Sequence, residues 1–337
     1  MFAYRIVPGE NIRGLARISM PSRKLHAHEV RVRVRAVSLN YRDLMVARGN
    51  YPLGSDQPLV PCSDGAGEVI AIGTGVERFR VGDRVIASFF TDWIDGDLAP
   101  EKTKGALGGS IDGVLAEEIV VHEQALVGMP AELSFAQAST LPCAGLTAWN
   151  MLFAANTLAP GSTVVLLGTG GVSIWALQLA KAAGLRTIIT SSSAAKLERA
   201  RMLGADELVN YKAQPEWQDE VLRLTDGRGA DLVAELGGHD TLRRSIAATR
   251  MGGAIALIGG VSGFTSEIDI LNVLGGKKLI GIYVGSRRML EDLVRFVAAS
   301  KIAPVIDRVF HFDDAQEAYV HLDAQRHLGK VVIEIPS

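Results

Sequence analysis

The stretch Thr163-Val164-Val165-Leu166-Leu167-Gly168-Thr169-Gly170-Gly171-Val172-Ser173 decides how this chain folds. Its first five residues are all β-branched or apolar, the pattern of a strand buried on both faces, and the run stops at a glycine. Gly168 permits a tight turn, and Gly170 lets a pyrophosphate approach the backbone. Gly171 and Val172 open a helix whose unpaired N–H groups and dipole favour an anion by roughly 0.3–2 kcal/mol per charge. Ser173 stands where the dinucleotide fingerprint has its third glycine, and it is still small enough for close packing of helix on strand. In that helix Val172, Ala176, Leu179, Ala180 and Ala183 supply the small apolar face that lies on a sheet. A glycine-rich turn alone is equally well explained as a plain structural turn. Its setting between strand and helix, with four more βα units behind it, makes a dinucleotide site the expectation.

Those further units have strands at 187–190, 207–209, 232–235 and 254–258, each separated from the next by a helical stretch. The rhythm predicts an α/β fold with a doubly wound parallel sheet of the Rossmann type. Upstream, residues 1–125 read as short strands broken by Gly, Pro and Asp. In 29–37, Val30, Val32 and Val34 alternate with Arg31, Arg33 and Arg35, which predicts a half-buried antiparallel strand with its arginines on the solvent face. That reading is preferred to a nucleic-acid-binding stripe. A helix at 288–299 and a strand at 331–335 return to this first domain. The expected division is therefore 1–125 with 284–337, mainly antiparallel β, and 126–283, the dinucleotide-binding domain.

About 20 residues past the glycine turn, where NAD-preferring enzymes place an acid on the ribose 2′-hydroxyl, the chain has Ser191-Ser192-Ser193. A carboxylate about 4 Å from a 2′-phosphate would cost about 4 kcal/mol per phosphate charge at an effective dielectric near 20, so its absence opens the site to NADP(H). Ser191, Ser192, Lys196 and Tyr211 are the candidate phosphate cradle. NADP(H) is expected, with NAD(H) the lesser alternative. A solvated lysine beside serines that merely end a strand is the bland reading.

The bulk composition narrows the partners. The chain has 337 residues, 48% hydrophobic and 21% charged, with a net charge of −2, so no global field draws it to nucleic acid or an anionic membrane. Small-molecule partners are expected instead. Two cysteines cannot build a disulfide framework, no apolar run reaches about 18 residues, and the N-terminus lacks a signal-peptide pattern. A cytoplasmic location is the expectation.

Several blocks together resemble the medium-chain dehydrogenase/reductases, and within them the zinc-free, quinone oxidoreductase-like branch. They are Pro61-Cys62-Ser63-Asp64-Gly65-Ala66-Gly67-Glu68, Gly73-Thr74-Gly75-Val76 leading to Phe79, Val81-Gly82-Asp83-Arg84-Val85, Leu141-Pro142-Cys143-Ala144-Gly145-Leu146-Thr147-Ala148, and Gly329-Lys330-Val331-Val332. The resemblance covers nearly the whole chain. It implies a GroES-like catalytic domain made from both chain ends, an active site in the cleft beside the Rossmann domain, and a homodimer paired through the strand at 278–284. It also implies that Thr147 and the turn Gly259-Gly260-Val261 contact the cofactor.

The family's alcohol dehydrogenases hold a catalytic zinc with a Cys, a His and a further Cys or Asp, and such a site needs three protein ligands. Here the first position is Asn40 and the second Ser63; Cys143 alone survives. The four-cysteine structural lobe is also missing, since 91–113 contains no cysteine. No metal is therefore expected, and the histidine pairs His26/His28 and His321/His327 read as polar surface. Without a Lewis acid the chemistry suited to the site is hydride transfer to a quinone, enone or other activated carbonyl, whose conjugation carries charge to an oxygen that hydrogen bonds can stabilise. Asn40, Tyr41, Arg42 and Ser63 are the catalytic candidates, Tyr41 as a proton donor, with structural support by Asp43 and Asp64. Phe89, Phe90 and Trp93 are candidates for a pocket wall or for core. A metal-free alcohol or aldehyde dehydrogenase and a non-catalytic NADPH-binding protein are the alternatives.

Overall fold

The structure, a computed structural model, describes residues 1–52 and 54–336. It divides into two compact units, Met1–Leu146 with Val284–Ser337, and Thr147–Tyr283.

The first unit is built on a seven-stranded sheet. Its main path runs Ile306–His311, Lys330–Glu334, Glu29–Leu39, Asp64–Ile72, Arg84–Ala87, Leu126–Gly128, and Glu118–His122 pairs with Glu29–Leu39 off that path. All of these pairings are antiparallel except that of Ile306–His311 with Lys330–Glu334. Val30, Val32 and Val34 are buried, each burial contributing about 1.5–3 kcal/mol, while Arg33 is exposed and Arg31 and Arg35 are half-buried. The alternation expected for 29–37 is thus present, and the strand extends to Leu39, where it delivers Asn40 and the helix Tyr41–Ala47.

The first break of the chain falls at 146/147, not at 125/126. The reason is pairing that leaves no local mark in the sequence. Leu126–Gly128 adds to the edge of Arg84–Ala87, and the Arg84 guanidinium donates to the carbonyls of Ala131 and Leu133. Residues 126–146 therefore belong with the first unit.

The second unit is a six-stranded, wholly parallel sheet in the order Glu207–Asn210, Arg186–Ser191, Thr163–Leu166, Ala230–Glu235, Thr249–Leu257, Lys278–Gly281. In chain order this is 3-2-1-4-5-6, the doubly wound Rossmann arrangement. The helix Gly171–Ala182 buries Ala176, Leu179 and Ala180 of the expected face, whereas Val172 and Ala183 at its two ends are half-buried. The last strand stops at Gly281, short of the expected 284, and Val284 has φ +49, outside extended geometry. Among the described residues no helix is long and apolar enough to cross a membrane.

Candidate active site

In the second unit the glycine turn has the geometry its sequence requires. Gly168 has φ +75, a left-handed conformation that costs a residue with a side chain about 1–2 kcal/mol. Its N–H donates to Thr190 Oγ1 at 3.2 Å, tying the turn to the neighbouring strand. Gly170 is the N-cap of Gly171–Ala182, and a Cβ on either Gly168 or Gly170 would meet nothing within 4 Å. Open backbone at a helix N-terminus suits a pyrophosphate. Ser173 is buried, and its hydroxyl donates to the Leu167 carbonyl at 2.7 Å, closing the space a third glycine would leave.

The serine run lies beside that turn. Ser191 ends its strand buried, its Oγ accepting the Ser193 N–H at 3.2 Å, and Ser193 caps the helix Ala194–Met202 by accepting from the Lys196 N–H. Ser192 is exposed. The Tyr211 N–H donates to the Ser191 carbonyl at 3.2 Å, so Ser191, Ser192, Lys196 and Tyr211 come together at one sheet end. Among the described residues no carboxylate is bonded to any of these hydroxyls. Gly259, Gly260 and the exposed Val261 follow the fifth strand of that sheet. A Cβ on Gly260 would strike the Phe264 ring at 2.7 Å, so the close turn requires glycine there. Thr147 is buried.

In the first unit a cluster of buried polar groups is assembled from four separate parts of the chain. Asn40 is the N-cap of Tyr41–Ala47, and its N–H donates to Asp43 Oδ2 at 2.7 Å. Its carboxamide oxygen accepts from the Lys330 ammonium, which also donates to the Leu39 carbonyl at 2.7 Å and lies 3.9 Å from Asp64 Oδ2. Ser63 Oγ donates to Asp64 Oδ1 at 2.6 Å, and the Cys143 N–H donates to Asp64 Oδ2 at 3.2 Å. Burial raises the Asp64 carboxyl above its ordinary value against the pull of Lys330 and the Ser63 hydroxyl. Burial pushes the Cys143 thiol well up, the Asp64 charge adding to it.

Arg42 and Asp43 lie beside this cluster. Arg42 is 7% exposed, and its guanidinium sits 4.6 Å from the Tyr51 ring centre and 4.8 Å from that of Phe89. Arg42 Nη1 donates to the Leu107 carbonyl at 2.6 Å, but among the described residues Nε and Nη2, both fully buried, have no hydrogen-bond acceptor. Asp43 Oδ1, 3.9 Å from Nη1, is also without a donor. Burial pushes the Asp43 carboxyl up to about 6, opposed by the Arg42 charge and the Asn40 N–H. Phe89, Phe90 and Trp93 are all buried with Ala106 and pack with Cys143, so they form a local core and not an open wall. Tyr41 is half-buried against the main core of the unit.

The expected catalytic residues thus separate by what they have left to offer. The Asn40 oxygen and the Ser63 hydroxyl are engaged within the cluster, whereas Arg42 keeps two buried donors. Lys330 was missed as a site residue by sequence reasoning, which took Gly329-Lys330-Val331-Val332 only as a family block. The histidines expected at the surface do not converge on a metal site. His28 is exposed and stacks on His122, and His321 bonds to Asp307 at 3.0 Å. Among the described residues no three His, Cys, Asp or Glu side chains are grouped to hold a metal ion.

Residues 26–131 match the family model for the alcohol dehydrogenase GroES-like domain, and residues 171–299 that for zinc-binding dehydrogenase. The zinc-type alcohol dehydrogenase-like protein of Schizosaccharomyces pombe is 44% identical over 319 residues, covering 93% of this chain and 92% of its own length. A quinone oxidoreductase of Pseudomonas aeruginosa is 32% identical, covering 90% of each chain. A solved NAD-dependent alcohol dehydrogenase superposes with a TM-score of 0.92 at 35% identity over 100% of both chains. The chain belongs to the medium-chain dehydrogenase/reductase superfamily, oxidoreductases that work with NAD(P). Within it, the chain is similar both to zinc-type alcohol dehydrogenase-like proteins and, at lower identity, to quinone oxidoreductases.

Proposed function

We propose that this chain is an NADPH-preferring oxidoreductase that reduces a quinone, enone or other activated carbonyl without zinc. The observation that carries the reading is the state of the three positions where the family's zinc enzymes place ligands. At the first, the Asn40 oxygen faces an ammonium, that of Lys330. At the second, Ser63 gives its proton to Asp64. At the third, Cys143 alone keeps a side chain that zinc commonly takes. A neutral amide bonded to an ammonium, a hydroxyl committed to a carboxylate and one remaining thiol do not supply the three ligands a catalytic zinc needs.

The cofactor side fits a dinucleotide. Gly168, Gly170, Gly171 and Val172 would hold the pyrophosphate at the helix N-terminus, with Ser191, Ser192, Lys196 and Tyr211 around a 2′-phosphate. Gly259, Gly260, Val261 and Thr147 would meet the nicotinamide end. NADPH, when bound, supplies the hydride. What the protein must add is position, exclusion of water and hydrogen bonds to the acceptor's oxygen, which is enough for a conjugated acceptor and little for an unactivated alcohol.

Consumption of NADPH and NADH against 1,4-benzoquinone, 2-cyclohexen-1-one and a simple aldehyde tests this. We expect turnover of the quinone or the enone with NADPH preferred. Turnover confined to the aldehyde would favour a metal-free alcohol or aldehyde dehydrogenase, and NADPH binding with no turnover would favour a non-catalytic cofactor-binding protein. We also read the chain as a homodimer through the outer edge of Lys278–Gly281, the last strand of its sheet. The exposed Ile270, Leu271 and Leu274 in the segment before it support this. A solution mass near the 36.0 kDa of one chain would contradict it.

A further inference from the structure

In the second unit the strand order reverses between Thr163–Leu166 and Ala230–Glu235, and a dinucleotide lies across the carboxyl ends of the strands at such a crevice. Ala234 is paired with Leu166, so Glu235, the last residue of its strand, ends beside the glycine turn at Gly168. With the pyrophosphate at that turn and the 2′-phosphate at Ser191, as proposed above, the nicotinamide half runs the other way, over the ends of Ala230–Glu235 and Thr249–Leu257.

Glu235 is 1% exposed, and among the described residues no cation pairs with it. Its carboxylate is met instead by neutral donors of the segment that follows. Oε1 accepts the Gly238 N–H at 2.8 Å and the Thr241 hydroxyl at 2.6 Å, and Oε2 accepts the Ser245 hydroxyl. A buried carboxylate is costly unless it is bonded, and a buried network that is bonded throughout holds its segment rigid. The backbone of the same residue reaches the next loop, its carbonyl accepting the Ile258 and Gly259 N–H groups at 2.9 and 3.3 Å. Turn and loop are also laced to each other. The Ser262 N–H and hydroxyl both donate to the Gly237 carbonyl at 2.8 Å, and Ser262 Oγ accepts the Asp240 N–H at 2.9 Å. Gly238, with φ +88, comes so close that a Cβ there would lie 2.3 Å from the Gly263 carbonyl oxygen.

We propose that Glu235 is a positioning residue: its buried carboxylate fixes the turn 236–241, and through it the loop 258–263, so that the nicotinamide half of the cofactor is aligned for hydride transfer. This rests on the reading of the chain as a dinucleotide-dependent reductase. Glu235 is itself too deeply buried to meet the cofactor and acts through the turn and the loop.

The test compares wild type with three variants. Glu235→Ala removes the acceptors; Glu235→Gln keeps one acceptor oxygen and lets the Ser245 hydroxyl turn round to accept from the amide; Ser262→Ala cuts the exposed lacing without touching the buried acid. The readouts are affinity for NADPH, affinity for 2′,5′-ADP as the adenosine half alone, the fluorescence enhancement of bound NADPH, and kcat on whichever acceptor is turned over. NADH and AMP replace the two ligands if wild type prefers NADH. Since a misplacement of about 1 Å can cost about 100-fold in rate, Glu235→Ala is expected to lower kcat by about 30-fold or more and to lose most of the fluorescence enhancement, with 2′,5′-ADP affinity within about twofold of wild type. Glu235→Gln should bring kcat back to within about fivefold, and Ser262→Ala should show the same pattern as Glu235→Ala at about three- to tenfold. Glu235→Ala with kcat and fluorescence unchanged, or with 2′,5′-ADP affinity falling as far as NADPH affinity, would overturn the proposal. Should that variant not fold, Ser262→Ala with kcat and fluorescence unchanged would overturn it. Wild type that binds NADPH but turns over no acceptor would contradict the reductase reading and leave affinity and fluorescence to decide on Glu235. Wild type that binds neither dinucleotide would contradict both.

Discussion

Lys330 carries a large part of the local energetics, since its ammonium is 3% exposed and faces a carboxylate that is fully buried. Taking away one partner of a buried pair leaves the other charge uncompensated, at about 3–5 kcal/mol. Lys330→Met should lower the urea-measured stability by about that much, and a loss below about 1 kcal/mol would show that Asp64 does not depend on it. Asp43 makes a pH prediction whose sign follows from its raised pKa. Between its ordinary value of 3.8 and about 6, the folded protein keeps the proton that the unfolded chain has released, so stability falls as pH rises through that window. At 1.36 kcal/mol per unit the loss approaches about 3 kcal/mol. The stability of wild type minus that of Asp43→Asn should therefore fall by up to about 3 kcal/mol from pH 4 to pH 7; a flat difference would contradict it. Asn40, Ser63 and Cys143 were legible as departures from a zinc pattern because they sit in blocks of fixed spacing. Lys330 was not, because its partners are about 290 residues away and the pairing of Lys330–Glu334 with Glu29–Leu39 is what brings it in. The unpaired edge of Arg42 was likewise invisible, since satisfaction of a hydrogen bond is a three-dimensional property.

At the scale of the element, the nucleotide turn is the most legible feature, because strand, glycines and helix are contiguous and each states its own conformational need. The expected strand at 163–167 is observed as Thr163–Leu166, and of the small apolar face expected on the next helix Ala176, Leu179 and Ala180 are buried while Val172 and Ala183 are half-buried. The last Rossmann strand ends earlier than expected because its partner ends at Leu257, paired with Gly281, and that register carries no local sequence signal. The cofactor preference belongs to this scale, where exposed Ser192 follows buried Ser191 at the strand end. Ser192→Asp places a carboxylate where a 2′-phosphate would lie, at a cost of about 4 kcal/mol for a 4 Å approach. The ratio of kcat/KM for NADPH over NADH should fall by about 100-fold or more, and an unchanged ratio would mean that the serine end does not read the phosphate.

Across the whole molecule, two units of different architecture come from one chain, and the sequence revealed both by their rhythm: alternating short strands first, then strand and helix in turn. The one boundary it misplaced, at 125/126, hides in the edge pairing of Leu126–Gly128 with Arg84–Ala87, which joins residues 39 to 43 positions apart. The same distinction runs through the proposed chemistry. Family blocks locate the candidate site, but whether it needs a metal depends on how Asn40, Ser63, Cys143 and Lys330 are bonded to one another. The most direct measurement is kcat/KM for NADPH with the preferred acceptor before and after exhaustive chelation, with zinc counted per chain in the same samples. Activity unchanged by chelation, in protein with far less than one zinc per chain, is the predicted result. Activity that falls with chelation and returns with added zinc would contradict the zinc-free reading.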